Sequence, residues 1–168
     1  MPLIAITPRL ELRAFSQFDA PGFYQMNLDP EVLRYTGDKP FVSVDEAAQF
    51  IENYSHYRQY GYGRWSIYLR ESQQYIGFCG LRFDAQSGET DIGYRLQRAF
   101  WHQGLATEAA QKTVELAFNK YELASIIGRA VNENIGSHRI LTKLGFKPEQ
   151  TFIENQMTWQ QYRLIRTD

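Results

Sequence analysis

Apolar positions along the chain follow two periods, and the switches between them mark the elements. Leu10, Leu12 and Ala14 alternate with Glu11 and Arg13, the two-residue period of a strand with one buried face. Ser16 to Leu28 predicts a short helix interrupted near Pro21-Gly22, and Asp29-Pro30 opens a further turn. Ser43-Val44-Asp45-Glu46 has the form of a capping box, and Ala47, Phe50, Ile51 and Tyr54 continue an apolar stripe, so this helix is expected to end near Gly61. Arg64 to Arg70 and Gln74 to Asp84 read as adjacent strands parted by Glu71-Ser72-Gln73, and Gln86-Ser87-Gly88 turns into a third, where Ile92, Tyr94 and Leu96 alternate. Together they make an antiparallel meander. The period then changes: Leu105, Ala109, Val114, Leu116 and Ala117, with Phe118, lie at helical spacing, and Thr107 to Lys120 holds neither Pro nor Gly. Ser125 to Val131 follows as a strand, Ile135 to Leu144 as a helix with Gly145 its C-cap, and Phe146 onward as strand again. Met157 to Arg166 alternates irregularly and is expected to close an edge hairpin. The pattern predicts an α/β domain whose mixed sheet passes from antiparallel to parallel after Leu96.

A chain of 168 residues suits one domain, residues 1–168, with a substantial core. A hydrophobic content of 43% and an aromatic content of 15% fit a globular protein. With 18 basic and 19 acidic residues the formal charge is -1, which gives no bulk attraction for nucleic acid. Met1 to Ile6 has no basic leader and is broken by Thr7-Pro8, so neither a signal peptide nor a membrane span is expected, and the cytoplasm is the expected location. The lone Cys79, between Phe78 and Gly80, reads as a small buried hydrophobe with no local base to activate it. His56, His102 and His138 lack the paired spacing of a metal site, so no metal is implied.

Trp101-His102-Gln103-Gly104-Leu105-Ala106-Thr107-Glu108-Ala109 joins a strand to a helix. The first N–H groups of a helix lack internal partners and carry the positive end of its dipole, so they suit phosphate oxygens. Gly104 allows close approach of the backbone, Ala106 leaves room, and Thr107 offers a cap or a phosphate contact. An ordinary glycine turn explains the same residues. The three-glycine dinucleotide fingerprint and the Gly-Lys-Ser/Thr phosphate loop are both missing.

A second block, Asn132-Glu133-Asn134-Ile135-Gly136-Ser137-His138-Arg139-Ile140-Leu141-Thr142-Lys143-Leu144-Gly145-Phe146, makes the pattern specific. Together the two blocks resemble the GNAT superfamily of N-acetyltransferases, in particular its RimJ/RimL-type branch of ribosomal-protein alanine N-acetyltransferases. Thr7 to Arg13, Asp29-Pro30-Glu31-Val32, Gly61 to Ile67 and Ile76 to Leu81 extend the likeness in family order over nearly the whole chain. The resemblance implies a GNAT fold: a central mixed, largely antiparallel, twisted sheet of six to seven strands flanked by helices, with a V-shaped splay for acetyl-CoA. Two positions depart from the branch. His102 stands where Gly is usual, so a side chain must accompany the turn, and Asp91 stands where Glu is more frequent, shortening the reach to the acetyl centre.

By this resemblance Gln103, Gly104, Leu105, Ala106 and Thr107 hold the pyrophosphate, and a backbone N–H near Leu96 polarises the thioester carbonyl. Asn134 bonds the pantetheine arm, while Arg139 and Lys143 either attract the adenosine phosphates or simply cover a helix surface. Ser137 stabilises or protonates the departing thiolate, and His138 points to another helix face. Asp91 and Glu89 are candidate bases, directly or through water, although each could pair with a neighbouring cation. Glu108 is a third carboxylate, whose place in a first helical turn has a structural reason of its own. Tyr35, His56, Tyr57, Tyr60, Tyr62, Arg64, Trp65 and Trp159 are possible acceptor walls or core residues. The expected reaction moves acetyl from acetyl-CoA to a primary amine, a protein N-terminus or a small molecule, against the alternative of a silent CoA-binding module. Membrane and nucleic acid are not expected partners, and a monomer or a homodimer is compatible with the sequence.

Overall fold

The computed structural model describes residues 2–167; Met1, part of the N-terminal stretch considered above, and Asp168 lie outside the described residues. Its first strand is one that periodicity did not mark: β1, Leu3–Ile6, pairs antiparallel with β2, Leu10–Arg13. No residue of β1 is fully buried, whereas Leu10 and Leu12 in β2 are 0% exposed, so only β2 carries a readable alternation. Ser16 caps a 3-10 turn, Gln17–Asp19, and α1, Ala20–Leu28, follows directly. Pro21 thus begins this helix instead of interrupting it, because a proline in the first turn removes no intrahelical bond.

Asp29 caps α2, Pro30–Leu33, and Ser43 caps α3, Val44–Glu52, by accepting from the Glu46 N–H at 3.1 Å. The latter helix stops short of the expected Gly61. Tyr54 leaves the helical path to accept the Arg64 N–H at 2.7 Å, and the chain resumes as α4, His56–Tyr60, before Gly61 ends it. The meander β3, Arg64–Leu69, β4, Tyr75–Asp84, and β5, Glu89–Leu96, forms as expected. After it come α5, Leu105–Glu115, widening into a π turn over Leu116–Lys120, then β6, Ser125–Val131, and α6, Ile135–Lys143. Gly145 closes α6 at φ 93°: its N–H bonds the Thr142 carbonyl and that of Phe146 bonds the Leu141 carbonyl, each at 3.0 Å. β7, Lys147–Glu154, and β8, Met157–Ile165, finish the fold.

The sheet has eight strands, against an expectation of six or seven, in the order β1-β2-β3-β4-β5-β6-β8-β7. The β7–β8 pair is the expected edge hairpin, with β7 outermost and β8 inside. Neighbouring residues of β4 define two layers. Phe78 packs into the cluster of Phe23, Met26 and Ile51 from α1 and α3, while Cys79 points the other way, its Sγ 3.4 Å from Thr113 Oγ1 of α5. On that second side Leu105, Ala109, Leu116 and Leu141 join Leu10, Trp65, Ile76 and Ile126 in the main core. Each such leucine or isoleucine contributes about 1.5–3 kcal/mol on burial, which fixes α5 and α6 against the sheet.

Candidate active site

The one parallel strand pair among the described residues is also the one that comes apart. β5 and β6 are in register at Asp91–Ile127 and Ile92–Gly128 and nowhere further along. On their outer edges the pairing goes on, β5 with β4 as far as Leu96 and β6 with β8 as far as Val131. A V-shaped opening results, bounded by residues 93–96 and 129–131. The Gln97 N–H bonds the Ile76 carbonyl at 2.8 Å, so antiparallel alternation turns the N–H groups of Leu96 and Tyr94 away from β4 and toward the opening. The Leu96 carbonyl, facing the same way, accepts the Trp101 indole N–H at 2.9 Å.

Trp101 anchors the loop that follows. His102 takes φ 61° and Gly104 φ 76°, so the position where a side chain was expected to resist the turn is left-handed, and His102 itself is exposed. Gly104 precedes α5 without any side-chain cap, which leaves the N–H groups of Leu105, Ala106 and Thr107 directed out of the helix end; Thr107 is not the cap. A Cβ added at Gly104 would meet only Arg9 Nη2, at 3.5 Å. A space bordered by a guanidinium and free helix N–H groups fits a pyrophosphate. The turn between β1 and β2 holds this loop in place. Arg9 Nη1 donates to the Gln103 carbonyl at 2.9 Å and its Nε to Glu108 at 2.8 Å, while Thr7 and the Arg9 N–H donate to the other Glu108 oxygen. Burial alone would raise the Glu108 carboxyl, but the hydrogen bonds from Thr7 and Arg9 bring it below the usual carboxylate range. Glu108 is therefore a brace.

Across the opening, Asn134 caps α6 by accepting the Ser137 N–H at 3.3 Å. Ser137 is buried, and its hydroxyl lies 2.7 Å from that of Tyr94 on β5. Tyr94 is the residue that periodicity missed as a functional group: its alternation with Ile92 and Leu96 marked its face correctly but not its partner. Burial pushes the Tyr94 phenol up to about 12, partly offset by the hydrogen bond to Ser137. The phenol stays protonated at neutral pH, so it can donate to Ser137 Oγ and leave the serine proton free to point elsewhere. His138 faces away, as expected; its Nε2 donates to the Val131 carbonyl at 3.0 Å, which makes Nδ1 the acceptor of the Tyr162 hydroxyl at 2.6 Å. Arg139 and Lys143 are exposed on α6.

The sheet face opposite α5 and α6 carries the carboxylates. Asp91 Oδ1 accepts from Arg64 at 2.7 Å and Oδ2 from Arg82 at 3.2 Å, at the first of the two paired registers beside the opening. Glu89, two residues farther from the opening, receives Arg163 at 2.7 and 3.0 Å. Most of the aromatic candidates are structural. Trp65 is 0% exposed, Tyr62 bonds Thr90 at 2.8 Å, Tyr57 accepts the Phe15 N–H, and His56 accepts the Phe83 N–H at 2.9 Å. Tyr35 and Trp159 remain half-buried, Trp159 stacked on Phe152 at 6.1 Å. Two loops meet at the mouth of the opening. Asp38, between α2 and α3, reaches Arg95 of β5 at 2.6 Å, the β7–β8 tip extends past Val131 of β6, and Gly37 and Asn155 lie in contact. A surface depression of about 610 Å³ beside Phe118, Leu144 and Leu164 lies at the far ends of α5 and α6 and contains none of these groups. Among the described residues no group of three or more His, Cys, Asp or Glu is arranged to hold a metal, and no helix is long and apolar enough to cross a membrane.

Residues 9–147 match the family described as the acetyltransferase (GNAT) domain. Over 145 residues the chain is 35% identical to the uncharacterized N-acetyltransferase p20 of Bacillus licheniformis, a span of 85% of this chain and 82% of that protein. Its fold matches that of a GNAT-family acetyltransferase from Bacillus anthracis with a TM-score of 0.85, at 21% identity over 98% of each chain. RimL, the ribosomal L7/L12 α-N-protein acetyltransferase, solved in complex with coenzyme A, gives a TM-score of 0.83 at 19% identity over 98% of each chain. At these identities the likeness to the solved structures is one of fold.

Proposed function

Because the chain belongs to the GNAT acetyltransferase family and is an N-acetyltransferase, we propose that its donor is acetyl-CoA and its acceptor a primary amine, the α-amine of a protein N-terminus in the RimL manner. The observation that carries the donor assignment is the β5–β6 opening beside the uncapped N-terminus of α5. Gln103, Gly104, Leu105, Ala106 and Thr107 receive the pyrophosphate on backbone N–H groups, and Asn134 Nδ2 meets the pantetheine arm. Bound acetyl-CoA supplies a thioester carbon for attack by the neutral amine. The Leu96 N–H receives the charge that develops on the carbonyl oxygen. Ser137, held by Tyr94, donates to the sulfur as the carbon–sulfur bond breaks and the thiol leaves. Asp91 orients the amine and accepts its proton through water, since both carboxylate oxygens already face guanidinium groups. Glu89, whose two oxygens both face Arg163, is the weaker candidate base. An α-amine titrates near about 8, against about 10.4 for lysine, so weak base assistance is enough.

The bridge between Gly37 and Asn155 favours an acceptor that enters end-on, an N-terminus or a small amine, over a chain segment laid across the sheet. Thiol release from acetyl-CoA, measured with a panel of peptides, polyamines and aminoglycosides, tests the proposal, and intact mass identifies the product. A gain of one acetyl group at a peptide N-terminus is the expected result. Turnover restricted to small amines would move the acceptor to that class, and tight CoA binding without amine-dependent release at any pH would make the domain a silent binding module.

A further inference from the structure

On the sheet face opposite α5 and α6, the strands β3, β4, β5, β6 and β8 carry one arginine each, and four of these five have carboxylate partners. Arg64 and Arg82 meet Asp91, Arg95 meets Asp38, and Arg163 joins Glu89 to Glu149. Arg129 of β6 is different. Its Nε is buried with no hydrogen-bond partner among the described residues, and its guanidinium lies 5.5 Å from the centre of the Phe152 ring, which stacks on Trp159. A buried guanidinium N–H without an acceptor is costly, and an ordered water, an ion or a ligand group is what completes one.

Its position gives the ligand's place. Ile92–Gly128 is the last pair before β5 and β6 separate, so Arg129 stands one residue into the opening on the face that carries Asp91. It borders a groove of about 440 Å³ with Glu89, Glu149, Gln161 and Arg163. The two carboxylates in that groove are already bound by Arg163 at 2.6 to 3.2 Å, which leaves Arg129 as its cation without an ion pair among the described residues. A planar guanidinium held against an aromatic ring matches a carboxylate through two parallel hydrogen bonds.

We infer that Arg129 binds a carboxylate carried by the acceptor within a side chain's length of its reacting amine. This rests on the acetyl-transfer reading above, in which Asp91, on the same sheet face, orients the amine. The carboxylate belongs either to an acidic residue next to a peptide N-terminus or to a free amino acid.

Paired acceptors separate the sources: a short peptide with aspartate at its second position against the same peptide with asparagine, and an amino acid against its amide. Wild-type protein is expected to favour the acid in at least one pair by about tenfold or more in kcat/KM. Arg129→Gln should bring that ratio near one, and Arg129→Lys should retain part of it. A binding arm needs no turnover. The N-acetylated acidic peptide, titrated by calorimetry into CoA-loaded protein, should bind wild type and not Arg129→Gln, whose melting temperature should equal or exceed that of wild type. Acid and amide turned over equally by wild type, or a preference that survives in Arg129→Gln, overturns the inference while leaving acetyl transfer intact. Arg129-dependent binding without turnover of any amine would instead uphold the anion site and remove the catalytic reading. Absence of both would overturn the two together.

Discussion

Ser137 and Tyr94, whose hydroxyls are 2.7 Å apart, form the pair proposed to assist thiol departure. Ser137→Ala should lower kcat by about 10- to 100-fold while leaving the KM for acetyl-CoA nearly unchanged, since a contact made in the transition state is removed. Tyr94→Phe should have a smaller effect of the same kind. Steady-state kinetics of both variants check this, and a wild-type kcat in Ser137→Ala would return the serine to a helix-packing role. Gly104→Glu should act the other way, raising the KM for acetyl-CoA by about tenfold or more, because a carboxylate would occupy the phosphate's place beside Arg9. Unchanged donor affinity in that variant would contradict the loop assignment. The places of Gly104, Asn134 and Ser137 at the starts of α5 and α6 were legible in the sequence because each stands within a local motif. Tyr94 was not, since its partner is 43 residues away. That Asp91 could pair with a neighbouring cation was legible; that Arg64 would be one was not, since it lies 27 residues before Asp91, on another strand.

At the level of elements, α6 lies against β6 because Gly128 leaves room for it. A Cβ there would come within 2.6 Å of Leu141 Cδ2, and Leu141 is 1% exposed. Gly128→Val should lift α6, displace Ser137 and Asn134 with it, and cost about 1–3 kcal/mol of stability. Denaturant unfolding and kcat, measured on the same variant, should therefore fall together; an unaltered unfolding midpoint would mean that the helix tolerates the shift. Local chemistry made much of this layer readable. The Ser43 cap, the Asn134 neighbourhood and the Gly145 stop need only a few adjacent residues. What escaped was set by distant partners: β1 is a strand because β2 pairs with it, Tyr54 ends α3 early by turning to Arg64, and β8 lies inside β7 although it follows it.

In the whole molecule, two half-sheets share two register pairs at Asp91 and Ile92 and then diverge, and this is where the proposed donor and acceptor would meet. The interior also sets a pH limit. Burial raises Tyr57, Tyr68, Tyr75 and Tyr94, and it pushes the Cys79 thiol up to about 12. Folded values above the unfolded ones mean stability that is fully present below the unfolded pKa and lost as pH rises toward the folded value. Urea midpoints should stay level with respect to these groups up to about pH 8, begin to fall above about pH 9 through Cys79 and fall faster above about pH 10 through the tyrosines, and Cys79 should resist alkylation until the protein unfolds. A thiol that reacts readily in the native protein at pH 8 would contradict its burial beside Thr113. The most direct test of the central claim is the intact mass of an N-terminal peptide after incubation with acetyl-CoA and wild-type protein, read beside thiol release. One acetyl group gained on the α-amine for each thiol released, with Ser137→Ala much slower, is the predicted result; acetyl-CoA bound but never transferred to any amine would contradict it.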